Sequence, residues 1–181
     1  MKRKIIWVAL ICVAVLLASI GSVGAYMRKQ TEVVENIFVP ASVACEVVET
    51  FTNDIKTRIE VKNTGTVPAY LRLRLVTYCI DSHGDILYGD PPNLSFNYDE
   101  DKWDLIDEIY YYREPVEPGE KTADLLAGSS VIPLRDEGEG DNRKRQVVEV
   151  FAEAIQSEPL DAMKESWGVI VTDGIITKLT N

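Results

Sequence analysis

The stretch VKNTGTVPAYLRLRLV, Val61 to Val76, decides how this chain is read. An alternating run stops at Asn63-Thr64-Gly65 and restarts through Val67-Pro68-Ala69-Tyr70. It then continues with Leu71, Leu73 and Leu75 on one side and Arg72 and Arg74 on the other. Side chains along a strand alternate between faces, so the pattern predicts a half-solvated strand, leucines inward and arginines in water. Asn and Gly tolerate positive φ, which makes Asn63-Thr64-Gly65 a turn. Pro68 has no N–H to give a ladder and fits a strand start.

The same reading extends in both directions. Upstream, Val43 to Phe51 (VACEVVETF) reads as a strand and Thr52-Asn53-Asp54 as a turn. Ile55 to Val61 then alternates, with Ile55, Thr57, Ile59 and Val61 on one face. Lys56, Arg58, Glu60 and Lys62 take the other face, which puts Lys56 in solvent. Downstream, Tyr70 to Ile80 is the longest strand, with Thr77 and Cys79 continuing the leucine face. Asp81 to Asp85 turns the chain into Ile86-Leu87-Tyr88, and polar Gly89 to Asp104 reads as a loop. Ile109 to Arg113 is a strand, and Arg135 to Arg145 is a charged connector. Gln146 to Ile155 is the last strand, with Val148, Val150, Ala152 and Ala154 on one face. LDAMKESWG predicts a short C-terminal helix ended by Gly168. Short strands with frequent turn signals predict an all-β domain, an antiparallel sandwich or barrel.

The first 25 residues read as an export leader. Lys2, Arg3 and Lys4 precede the apolar run Ile5 to Ala18, and the small residues Ser19 to Ala25 follow. Val23 and Ala25 stand where a signal peptidase reads its substrate. The competing reading is an uncleaved membrane helix, because the stretch up to Ala25 approaches the roughly 20 residues of a span. Removing the leader takes the net charge from −10 to −13. Such acidity opposes nucleic acid and anionic membranes, and leaves the leader as the only membrane-directed element. The 156 residues that remain suit one domain.

Chemistry is sparse. His83 is the sole histidine, so no pair of histidines can hold zinc; it lies in a Ser-His-Gly turn and reads as solvated, and any serine or cysteine nucleophile would need it as base. Asp99-Glu100-Asp101 and Asp136-Glu137 offer paired carboxylates for glycoside hydrolysis, and Asp81, Asp85 and Asp90 a calcium site, but the calcium-loop pattern is missing and all read as solvated loop charge. The expectation is a chain that is not an enzyme and uses no cofactor. Cys45 and Cys79 enclose 33 residues. A disulfide there contributes about 4 kcal/mol on the chain-entropy model; the alternative is two buried free thiols. Trp103, Tyr110 and Tyr112 form a possible binding surface for a glycan, with core packing as the alternative.

Several of these pieces occur together in a known family. The leader end GSVGAY, followed about ten residues later by ENIF, resembles the TasA/camelysin family of secreted Gram-positive proteins. The order ENIFVPA, VKNTGTVPAYLRLRLV, YYYREPVEPGEKT, VEVFAEAIQSEP and Trp167-Gly168 is similar too. This chain departs from the family in having Met27-Arg28-Lys29 where an acidic residue often follows an aromatic. The resemblance implies a jelly-roll-like sandwich, processing by a dedicated signal peptidase, and biofilm-matrix fibres built by strand donation. Partners would then be further copies or related matrix subunits. Protease activity described for camelysin is not carried over, because no zinc motif is present.

The resulting division is a leader over 1–25, an extended segment over 26–41 and a β-domain over 42–181. Gln30 to Val39 (QTEVVENIFV) matches the donating stretch. Within it Val33, Val34, Ile37, Phe38 and Val39 are the candidate donor side chains, with Ile37 and Val39 as the groove-filling pair. The competing reading makes this segment the domain's own first strand. The expected function is an exported structural protein of the extracellular matrix. The alternative is a membrane-anchored surface module that binds a glycan or a protein.

Overall fold

A computed structural model describes residues 41–89, 91 and 93–179. The leader and the donor residues Val33, Val34, Ile37, Phe38 and Val39 lie outside them.

The described residues are predominantly β. β1 (Cys45–Thr52), β2 (Ile55–Asn63) and β3 (Ala69–Ile80) follow one another. β4 (Ile86–Leu87), β5 (Trp103–Ile106) and β6 (Ile109–Tyr112) come next. β7 (Ile132–Pro133), β8 (Asp136–Glu137) and the long β9 (Lys144–Gln156) precede the helix α1 (Asp161–Trp167). β10 (Val169–Thr172) and β11 (Ile175–Lys178) close the order. All pairings are antiparallel. One sheet runs β1-β2-β7 and a larger one β5-β6-β3-β9-β8, with β4 on the end of β3; β10 and β11 form a hairpin.

The leucine face behaves as its alternation predicts. Leu71 and Leu73 are buried, with Ile59 and Val61 of β2 across from them in one core that also holds Val148, Leu125 and Ile132. Each buried Leu or Ile contributes roughly 1.5–3 kcal/mol relative to exposure. The backbone of this layer is the β3–β9 ladder, continuous from Ala69↔Gln156 to Ile80↔Arg145 without a register shift.

The arginine face differs from expectation. A second core of Tyr70, Tyr111, Met163, Val169 and Ile176 covers part of it. Arg74 is exposed, but Arg72 is half-buried beneath the C-terminal element. Its guanidinium lies 4.5 Å over the Trp167 ring. It donates to Glu153 at 2.9 and 2.6 Å and to the Tyr111 hydroxyl at 3.1 Å. α1 ends at Gly168, whose φ of 66° is the left-handed stop the sequence predicts.

Several strands are absent from the sequence reading, among them β5, β10 and β11. β5 was expected to be loop, but it pairs with β6 across Asp107-Glu108, both at positive φ. β10 and β11 join through Asp173-Gly174, also at positive φ. VIVT-DG-IITK carries the signal that finds this hairpin: a two-residue Asp-Gly turn between apolar runs.

Candidate functional site at an open strand seam

Sheet edges present unpaired N–H and C=O groups, so they are where a β-protein meets other chains. Two such edges lie side by side here. β1 ends the small sheet, and β9 borders the large one beyond its short contact with β8.

The register shows which groups face each edge. Asn63 N–H donates to Glu120 O at 2.9 Å, and Thr122 and Leu125 N–H donate to Val61 O and Ile59 O. Asn63, Val61 and Ile59 therefore turn their backbone away from β1. Their opposite numbers Cys45, Val47 and Glu49 must turn theirs away from β2, toward the free edge. On β9, Gln146 N–H points outward to Arg135 O at 2.7 Å. The same parity directs the backbone groups of Val148, Val150, Ala152 and Ala154 away from β3. Among the described residues, no strand pairs with the outer edge of β1, and none with that of β9 beyond Arg145.

The edges run antiparallel. Cys45, at the start of β1, packs on the core beside Val150, Ala152 and Ala154 of β9. Four residues on, Glu49 shares the Lys56 ammonium with the Val148 carbonyl. β1 and β9 approach each other along this seam without backbone bonds between them. The Cys45 thiol is pushed above its ordinary range, first by burial and then by the Glu153 charge.

Lys56 corrects the sequence reading. Its side chain is fully buried, not solvated. The β1–β2 register shifts between Thr50 and Phe51, whose partners are Arg58 and Lys56, so Thr57 is the extra residue of a bulge. The bulge resets the alternation and swings Lys56 between the sheets. Its ammonium bonds the Glu49 carboxylate, donates to Val148 O at 3.0 Å and lies 4.9 Å over the Phe51 ring. Periodicity alone cannot reveal a bulge, and this residue was missed for that reason.

The other candidate residues are dispersed. Cys45 and Cys79 are both free thiols. Cys79 sits opposite Gln146 of β9 in the large sheet, whereas Cys45 begins β1 opposite Asn63 in the small one. The aromatic surface is also corrected. Trp103 and Tyr112 are 1% and 8% exposed and pack edge to face at 5.0 Å. The Trp103 indole N–H is itself buried, with no acceptor among the described residues. Tyr110 packs against Phe96 and Tyr98. Tyr110 and Tyr112 share a face with the main core, whereas Tyr111 faces the second core, as alternation requires. His83 stands exposed in its turn beside Ser82 and Asp81. The Asp81 carboxyl lies below its usual range because it accepts the Asp85 and His83 N–H groups.

No family model, curated protein or solved structure matches the chain.

Proposed function

We propose that this chain is an exported, non-enzymatic structural subunit of an extracellular matrix, assembling by strand addition at the β1–β9 seam. The seam is the observation that carries this reading. Among the described residues it offers two edges whose outward backbone groups no neighbouring strand takes up, with Cys45, Val148, Val150, Ala152 and Ala154 turning their side chains to the core. An extended segment entering there gains ladder hydrogen bonds and places alternate side chains against Val47, Val150 and Ala152. The donor is the stretch 30–39 of a second copy, with Ile37 and Val39 inward. The jelly-roll-like sandwich implied by the family resemblance fits two sheets sharing one core. The leader fits export, whether cleaved or retained as an anchor. The rival reading is a membrane-anchored surface module for a glycan or a protein; the burial of Trp103 and Tyr112 argues against the aromatic surface of Trp103, Tyr110 and Tyr112 as its binding face.

The test uses the full chain expressed with its leader and recovered after export. It is compared with a variant lacking residues 26–40 and with the length-preserving variant Ile37→Asp, Val39→Asp. Light scattering and electron microscopy report assembly, and N-terminal sequencing confirms equal processing. Filaments from the unaltered protein alone are expected. Filaments from all three, or from none, overturn donation through this segment.

A further inference from the structure

The seam carries a charged group that assembly by strand addition does not require. Resting on that reading, we propose that Lys56 is the latch of the seam: its ammonium ties Glu49 of β1 to the Val148 carbonyl of β9 and holds the two edges shut against an incoming strand.

The argument starts from which atoms are tied. Val148 O is one of the outward acceptors of the β9 edge, a position where a neighbouring strand would present an N–H. Lys56 Nζ occupies that acceptor at 3.0 Å. Glu49 is one of the β1 residues whose backbone faces the seam, and its carboxylate takes the same ammonium. One side chain of β2 thus bridges both edges. Burial makes the bridge matter. The Lys56 side chain is 0% exposed and Glu49 only 24%, so neither charge can be left unpaired at small cost. Inward-pointing charge is also a known means of keeping an edge from pairing promiscuously.

Strand entry then has a defined exchange. An N–H of the incoming strand replaces Nζ on Val148 O, and the ammonium stays with Glu49. The chain enters only when β1 moves away from β9, so the latch sets how often the seam is open. It separates a stored monomer from an assembling one.

Cys45 provides a native reporter, since it lies on the β1 edge of the seam while Cys79 lies well away on β3. The exported full chain is treated with a maleimide at pH 8, and labelling at each thiol is followed by peptide mass spectrometry. Lys56→Met is expected to raise the Cys45-to-Cys79 labelling ratio at least threefold and to speed assembly. Lys56→Arg keeps a donor for both partners and should hold the ratio within twofold of the unaltered chain. If Lys56→Met exposes both thiols together, global unfolding is the cause, and Glu49→Gln, which retains shape and an acceptor, decides with the same ratio. An unchanged Cys45 ratio in the decisive variant overturns the latch, whatever assembly does. A raised ratio without faster assembly keeps the latch and sinks strand addition at the seam.

Discussion

At Gly65 a single absent side chain sets the course of the chain. A Cβ there would lie 2.4 Å from the Ser42 carbonyl oxygen and 3.0 Å from Ala44 N. The sequence reading assigned this glycine, with Asn63, to a turn that needs positive φ. Neither residue adopts one. Gly65 is required for space, because the segment before β1 crosses directly over it. Asn63 works through its amide: Nδ2 donates to Val67 O at 2.9 Å and Val116 O at 2.8 Å, and Oδ1 accepts the Gly65 N–H. Gly65→Ala must push backbone against backbone, so it should cost about 1–3 kcal/mol. Urea unfolding checks this: the midpoint should fall at constant slope. An unaltered midpoint means the Ser42 segment moves aside freely.

Among the elements, the C-terminal helix and hairpin are held by polar contacts as much as by apolar ones. Asp104 of β5 accepts the Ile176 N–H at 2.8 Å while forming two bonds to Arg113. Arg72 of β3 is clasped between Trp167, Tyr111 and Glu153. A planar guanidinium serves stacking and bidentate bonding together, which an ammonium cannot. Arg72→Ala should therefore lower stability by about 1–3 kcal/mol, and Arg72→Lys should recover little of it. Trp167 emission should shift to the red in both variants as water reaches the ring. A retained blue emission would place the grip in the second core alone. The helix was read from LDAMKESWG; the hairpin was missed, although its Asp-Gly turn carries the signal. What they cover was not legible, because alternation marks a face as polar without saying what packs on it.

The whole molecule carries a net charge of −10, and −13 without its leader. Copies of such a chain repel one another over roughly 10 Å at 0.1 M salt and farther in dilute buffer. Strand addition brings copies within that distance. Assembly should accelerate between 10 and 150 mM sodium chloride, with light scattering as the readout. Slower assembly in salt would mean that opposite-charge contacts between copies dominate, a different interface from the seam.

Local pattern determined much of this protein by itself. The period-two runs at Ile59–Val61, Leu71–Leu75 and Val148–Ala154 set an all-β body, its inward side chains and its long central strand. Those outcomes depend only on the strand period and on apolar burial, both of which are written residue by residue. Tertiary structure alone decided the rest. The Thr57 bulge that buries Lys56, the space that Gly65 leaves, the burial of Trp103 and the seam between β1 and β9 all depend on which edge ends beside which. Those relations join residues tens of positions apart, and a one-dimensional periodicity carries no record of them.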